Sequence, residues 1–194
     1  MKAGGRLDEG GDAVPGRQVA LMRGVNVGRA KRVAMAELRA LVEELGYSDV
    51  RTLLNSGNVV FTTPRAAPGN AAARIEKALA ARLGVSARIT VLTAAELAAM
   101  VAENPLGEIA NDPSRLVVCV LANPADRSRL KPMLKLDWGK EALAIGTRVA
   151  YVWCPDGILA SRVLEAVNRM LGDAVTTRNW ATVTKLHALT QDQR

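Results

Sequence analysis

The spacing of apolar residues in the first half of the chain changes repeatedly between that of strands and that of helices. Residues 19–22 form an apolar run of strand length, followed by a glycine-containing loop at residues 23–32. Apolar residues then recur at helical spacing over residues 35–45. Two β-rich runs, residues 50–54 and 59–63, flank four turn-forming residues and predict a hairpin.

A second helix and a fourth strand complete this first unit. Asn70 can cap a helix with one apolar face, and Gly84 can end it. Residues 87–92 again have the composition of a strand. The order β-α-β-β-α-β is that of the split β-α-β, or ferredoxin-like, arrangement.

Most of this order returns in the second half. Thr93 and Glu96 form a capping box that opens a linking helix. Strands are predicted at residues 116–122, 142–145 and 149–153, and helices after Asn123, Ser161 and Asn179. The order β-α-β-β-α indicates a diverged structural duplication. We therefore predict an α+β fold with two ferredoxin-like halves, residues 18–93 and 94–194.

The segment before the first strand has no apolar periodicity. Residues 1–17 contain five glycines, three acidic and three basic side chains. We predict a disordered N-terminal extension, which could be deleted without changing the melting temperature. The segment lacks the apolar block of a signal peptide, and no later stretch approaches the roughly 20 apolar residues of a membrane span. The expected location is the cytoplasm.

The positive charge of the chain is concentrated in its first half. The net charge is +7, and residues 18–93 carry eleven basic against five acidic side chains. Four of these cations lie in the loop of residues 23–32, which contains no acid. No Ser, Thr, Asp or Asn immediately precedes the following helix to cap its N–H groups. The loop could therefore bind an anion, with Arg23, Asn26, Lys31 and Arg32 as candidates, or be a solvated basic loop.

Topology places further polar residues beside this loop. In a split β-α-β unit the first two strands run parallel, so the loop and the hairpin turn lie at one end of the sheet. Asn55, Ser56 and Asn58 are therefore candidate ligand contacts, or ordinary turn residues. The same argument brings residues 146–147 and 175–180 together in the second half. There, Arg178, Asn179 and Trp180 could form a hydrogen-bonding and stacking platform, or a strand end and helix cap.

Several kinds of chemistry are excluded or disfavoured by composition. His187 is the single histidine, which excludes a histidine-based triad and a zinc site with two histidines. Cys119 and Cys154 lie in apolar runs and are predicted to be buried, unpaired thiols. Gly24 and Gly28 fit neither phosphate-loop template, so no cofactor is identified.

Nucleic acid is the obvious partner to weigh for a basic ferredoxin-like unit. RNA-binding versions stack bases on aromatic residues of the central strands, and Phe61 is the sole aromatic residue in the two runs that would supply them. Sequence-specific recognition of bases is therefore disfavoured. Nonspecific attraction to a nucleic-acid backbone remains open.

Four groups of residues resemble those of a known bacterial family, the domain of unknown function 1697. They are residues 19–28 (VALMRGVNVG), residues 35–39 with Leu45 and Gly46, residues 55–59 (NSGNV), and residues 177–183 (TRNWATV) with Lys185 and Leu186. The resemblance spans roughly residues 18 to 190. It implies an α+β fold with ferredoxin-like halves, and it implies no activity.

Two hypotheses for function follow. The first is a binding or regulatory module that holds a phosphate-bearing small molecule at the basic loop, which the lack of an evident general base favours. The second is an enzyme acting on a bound anionic substrate, with Arg23, Asn26, Asn58, Arg178 and Asn179 as electrostatic groups. A deep pocket joining the polar groups of both halves would favour the enzyme.

Overall fold

The computed structural model describes residues 16–26, 32–64 and 70–192. The strands in these ranges are β1 (Gly16–Met22), β2 (Ser48–Leu53), β3 (Asn58–Thr63), β4 (Ile89–Thr93), β5 (Leu116–Leu121), β6 (Ala142–Ile145), β7 (Val149–Trp153) and β8 (Val175–Asn179). The α-helices are α1 (Met35–Glu44), α2 (Ala71–Ala78), α3 (Ala94–Ala102), α4 (Arg127–Leu130), α5 (Arg162–Leu171) and α6 (Trp180–Gln191). A π-helical turn extends α2, and 3-10 turns flank α4.

The strands form two four-stranded sheets with the same topology. The strand orders are β2-β3-β1-β4 and β6-β7-β5-β8, and all neighbouring strands are antiparallel. In each sheet the first and third strands of the unit are central, as the split β-α-β arrangement requires. The predicted α+β fold with two ferredoxin-like halves is confirmed.

The second half contains one strand, β8, that is absent from the predicted order β-α-β-β-α. β8 pairs with β5 along its whole length, from Val175 opposite Leu121 to Asn179 opposite Val117. The turn after β6 lies at the Leu121 end, where Leu121 N–H donates to the carbonyl of Arg148 (3.0 Å). The prediction that residues 175–180 all lie beside this turn is therefore wrong. Because β8 runs antiparallel to β5, it carries its last residues to the opposite end of the sheet.

The predicted helix caps are present. The side chains of Asn70, Thr93, Ser161 and Asn179 each accept a hydrogen bond from a backbone N–H in the first turn of the following helix. Such caps contribute about 1 kcal/mol each to helix stability. By contrast, Ala34 at the start of α1 provides no side-chain cap.

The first strand begins three residues before the apolar run of residues 19–22 that predicted it. Gly16 and Arg17 belong to β1 and pair with β3. The Nη1 atom of Arg17 also donates to the carbonyl of Asp192 at the end of α6 (2.6 Å). The absence of apolar periodicity therefore places the end of the N-terminal extension two residues too late. The rest of that segment, residues 1–15, lies outside the described residues.

Helices α3 and α6 lie between the two sheets, and the other helices cover the outer faces. The central layer buries apolar residues of both sheets together with those of the two helices, including Val19, Leu21, Leu97, Met100, Val118, Tyr151, Val183 and Leu186. The hydroxyl group of Tyr151 donates to the carbonyl of Met100 (2.7 Å), and burial raises its pKa. One continuous core therefore joins the halves.

Arg148 also joins the halves at one edge of this layer, through a hydrogen bond to the first half. Arg148 in the second half binds the Glu96 carboxylate of the capping box and donates from Nη2 to the carbonyl of Val91 (3.1 Å). Burial opposes ionisation of Glu96, but the hydrogen bond from the Thr93 N–H and the charge of Arg148 outweigh it. The pKa of Glu96 is therefore lowered.

Both cysteines are buried and unpaired, as predicted. Burial raises the pKa of Cys119 to about 12 and also raises that of Cys154. Separately, none of the helices within the described ranges is long and apolar enough to cross a membrane.

Candidate functional site between the halves

The loop that leaves β1 and the turn between β2 and β3 are in contact, as the topology predicted. The N–H of Met22 donates to the carbonyl of Gly57 (2.9 Å). Gly57 has a φ of +70°, and a Cβ atom there would lie 2.6 Å from Cγ2 of Val25 and 2.7 Å from Cβ of Met22. Glycine is therefore required at this position by both backbone conformation and packing.

Asn26 ties together the two ends of the basic loop. Its Oδ1 atom accepts from Val33 N–H (2.8 Å), and its Nδ2 group donates to the carbonyls of Val33 (2.9 Å) and Asn55 (2.7 Å). Both ends of this amide are therefore engaged within the protein. Of the other loop candidates, Arg32 is exposed and Lys31 lies outside the described residues.

Asn58 closes the β2–β3 turn from inside. Its side chain is fully buried, and Nδ2 donates to the carbonyl of Leu53 and to Oγ of Ser56, both at 2.9 Å. Its Oδ1 atom accepts a hydrogen bond from Nε of Arg178 in the second half. Because the buried amide of Asn58 forms all of these hydrogen bonds within the protein, its role is structural.

Arg178 joins the second half to the first. Its Nη2 donates to the carbonyls of Met22 (2.7 Å) and Ser56 (3.0 Å), and its Nη1 to Oγ1 of Thr176 (3.2 Å) and the carbonyl of Thr177 (2.7 Å). These acceptors, like that of Asn58, belong to uncharged groups. Burial lowers the pKa of Arg178 to about 10, so the side chain remains charged at neutral pH. We refer to Met22, Ser56, Asn58 and Arg178 as the junction.

A cleft of about 780 Å³ lies beside the junction, between the two halves. The first half contributes Arg23, Gly24, Leu54 and Ser56 to its walls, and the second half contributes Ile158, Leu159, Glu165, Asn168 and residues 176–179. We refer to this space as the inter-half cleft. Its volume lies within the range of about 300–1,000 Å³ that is typical of small-molecule sites.

Two guanidinium groups cover the open edge of β8 along this cleft. Arg23 donates from Nη1 to the carbonyl of Val175, and Arg178 donates to that of Thr177. Because the N–H and C=O groups of one residue in an antiparallel strand point the same way, the N–H of Thr177 also points to this edge. Arg23 forms a further ion pair from Nε to Oδ1 of Asp173 (3.4 Å). The edge thus combines two positive charges with a backbone donor.

Some of the predicted site residues lie on the cleft wall and others do not. Arg23, Ser56, Arg178 and Asn179 line it. Asn179 is at the same time the cap of α6, where its Oδ1 atom accepts from the N–H (2.9 Å) and hydroxyl (2.7 Å) groups of Thr182. Trp180 packs against the core between the sheets, away from the cleft wall. Of the two alternatives for this segment, the structure shows the strand end and helix cap rather than the platform of Arg178 and Trp180.

Sequence reasoning missed the contribution of α5 and the turn before it. Ile158 and Leu159 lie in a 3-10 turn, and Glu165 and Asn168 lie on α5. The sequence contained one signal for this: the apolar pair between Gly157 and the helix cap Ser161 belongs to no predicted strand or helix face. Across the described ranges, no group of three or more His, Cys, Asp or Glu side chains is arranged to hold a metal ion.

Two ferredoxin-like units with a shared core and a cleft between them define the class of this protein. The chain belongs to the family described as protein of unknown function DUF1697, whose model matches residues 16–151. It is also similar to the structure of conserved bacterial protein SP0830 from Streptococcus pneumoniae, with a TM-score of 0.69 and 21% sequence identity. That match covers 92% of this chain and 100% of the other, and at this identity it shows the fold alone. Comparison with curated proteins gave no match.

Proposed function

We propose that this protein binds a phosphate-bearing small molecule in the inter-half cleft and acts as a binding or regulatory module. The observation that carries this proposal is the environment of Arg178, a largely buried cation on the cleft wall whose hydrogen bonds go to uncharged acceptors. Burial of a charge is costly when no opposite charge compensates it. An anion in the cleft would offset that cost.

Arg23 supports the same proposal because its ion pair is easily exchanged. Its partner Asp173 has a side chain that is 80% exposed, and exposed ion pairs contribute little to stability. A phosphate group could replace this carboxylate and also accept a hydrogen bond from the Thr177 N–H. Charge-assisted hydrogen bonds of this kind contribute about 1.5–3 kcal/mol each before ordering costs.

Two variants of this ion pair test the proposal. Arg23→Gln removes the cation, whereas Asp173→Asn removes the competing carboxylate and leaves the cation in place. Titration calorimetry with pyrophosphate and with a panel of phosphorylated metabolites should show about tenfold weaker binding for Arg23→Gln, corresponding to about 1.4 kcal/mol. Asp173→Asn should bind as tightly as the parent or more tightly. Equal losses in both variants would show that the ion pair matters only for structure.

The basic loop is tested separately. Lys31→Ala with Arg32→Ala should weaken binding of the same probes and reduce its salt dependence, while changing stability little, because an exposed charge such as that of Arg32 contributes little to folding. Parent-like binding by this double variant would exclude the loop and leave the cleft edge as the anion site. Displacement of the probes by single-stranded oligonucleotides of any sequence would favour a nonspecific nucleic-acid binder instead.

A second candidate function is an enzyme that acts on the bound anion. It is favoured by the construction of the cleft from both halves and by Glu165, a carboxylate on the cleft wall. Glu165→Gln retains the size of the side chain but removes the proton acceptor. Phosphorus NMR of each bound metabolite over time should then show turnover by the parent and none by the variant, with binding retained in both. Unchanged spectra for every metabolite that binds would support the binding module.

A further inference from the structure

Exposed apolar side chains are concentrated at the inter-half cleft. The described residues include six large apolar side chains that are exposed, and three of them line this cleft. They are Leu54, Ile158 and Leu159, which are 53%, 41% and 104% exposed. Binding of a phosphate group alone gives no reason for them, because phosphate is bound by cations and N–H donors.

Leu54 is unfavourable in its position for two independent reasons. Its φ of +57° is in the left-handed region, where a residue with a Cβ atom is strained and Gly or Asn is preferred. Its side chain is also exposed rather than packed in the core. A residue that violates both local preferences beside a cleft indicates a functional constraint.

Ile158 and Leu159 are held outward by a well-anchored turn. Ser161, directly after this turn, caps α5 and its hydroxyl group also binds the Glu141 carboxylate. The same carboxylate accepts a hydrogen bond from the N–H of Arg162 (2.9 Å). The start of α5 is therefore fixed from two sides, and the apolar pair remains at the cleft.

We propose that the ligand of the inter-half cleft is amphipathic, a phosphate ester whose organic group is aromatic or aliphatic. Its phosphate lies at the edge formed by Arg23 and Arg178, and its apolar group contacts Leu54, Ile158 and Leu159. A cleft of about 780 Å³ with cations on one wall matches a small organic anion in size and charge. This inference rests on the proposed function, since it names the class of ligand for the same site.

The experiment compares two phosphate monoesters of equal charge, 1-naphthyl phosphate and glycerol 2-phosphate. The parent should bind the naphthyl ester at least about tenfold more tightly, because removing only about 55 Å² of apolar surface from water accounts for a factor of ten. Leu159→Ser and Leu54→Asn should reduce this ratio about threefold or more. Leu134→Ser is the control, because Leu134 is exposed to nearly the same extent (51%) as Leu54 but does not line the cleft.

Leu54→Asn also provides a readout that a structural role would not give. Because Asn tolerates the left-handed conformation, this variant should melt a few degrees higher than the parent while discriminating less between the two esters. Failure of both esters to bind would contradict the proposed function itself. If the two esters bind with equal affinity and the variants do not change this, the proposal of an amphipathic ligand is wrong, but the proposed function is not. Dissociation of an oligomer by Leu159→Ser in sedimentation would overturn it too, by assigning the apolar residues to a protein interface.

Discussion

Replacement of Arg178 by methionine tests whether the junction holds the two halves together. Methionine retains an unbranched apolar side chain but donates no hydrogen bond. The change removes three bonds to the first half, to the carbonyls of Met22 and Ser56 and to Oδ1 of Asn58. All three acceptors belong to the segments that shape the end of the first sheet.

The expected loss of stability is the difference between two large contributions. Hydrogen bonds from a charged donor contribute about 1.5–3 kcal/mol each, so the three bonds represent about 5–9 kcal/mol. Removing a buried charge recovers a desolvation cost of several kcal/mol, and water from the adjacent cleft can reach part of the freed acceptors. We expect a net loss of about 3 kcal/mol in the free energy of unfolding.

Urea denaturation at neutral pH, followed by circular dichroism and tryptophan fluorescence, measures this loss. Arg39→Met is the control, because Arg39 is an exposed arginine on α1 whose ion pair with Glu43 spans one helical turn. Its loss should cost about 0.5 kcal/mol or less. Asn58→Ala alone and together with Arg178→Met completes a double-mutant cycle, in which we expect a coupling energy of about 1–2 kcal/mol.

A loss of less than about 1 kcal/mol in Arg178→Met, or one that cannot be distinguished from that of the Arg39 control, would show that the junction does not hold the halves together. A vanishing coupling energy with Asn58 would likewise show that the hydrogen bond between them contributes nothing to stability. Separate transitions for the two spectroscopic probes would be informative in another way. They would show that the junction is needed for the halves to unfold as one unit.

Three further predictions concern the first strand, acid stability and the thiols. Deletion of residues 1–17 should lower the melting temperature by a few degrees because it shortens β1, whereas deletion of residues 1–15 should not; equal melting temperatures would contradict this. Because the folded pKa of Glu96 is lowered, the unfolded chain binds more protons below the ordinary glutamate pKa of 4.5, so stability should fall as pH decreases through that range. Glu96→Gln should flatten this slope in urea titrations, and an unchanged slope would exclude Glu96 as its source. Cys119 and Cys154 should react slowly with a thiol reagent until the protein unfolds, and rapid labelling of both would contradict their burial.

Most of the fold could be predicted because its local signals are unambiguous. Helix caps such as Asn70 and Ser161 are set by residue type, and the apolar periods distinguish strands from helices. β8 was not predicted as a separate strand because no turn separates it from α6. Asn179 is both the last residue of the strand and the cap of the helix, so strand and cap signals merge in one short polar segment.

The candidate site was predicted only in part, because ligand contacts and structural contacts use the same residue types. Asn58 in a turn and Arg178 before a helix both have the chemistry of ligand-binding residues. Their partnership spans 120 positions in the chain, and only the tertiary structure shows that they bind each other. Arg23 was identified through charge, which is a property of the sequence itself.

Arg178 belongs to both the junction and the cleft wall. A variant of Arg178 therefore cannot by itself test the binding of a ligand. A loss of affinity in Arg178→Met would follow equally from a missing charge and from a displaced wall. The variants Arg23→Gln and Asp173→Asn separate these causes, because Asp173 is exposed and the ion pair lies outside the junction. Stability provides the complementary measurement, since a ligand at about 100 times its dissociation constant adds about 2.7 kcal/mol to a protein that binds it only when folded. If Arg178→Met is destabilised but gains this full increment, the cleft forms its site without the buried arginine, and the anion is held by Arg23.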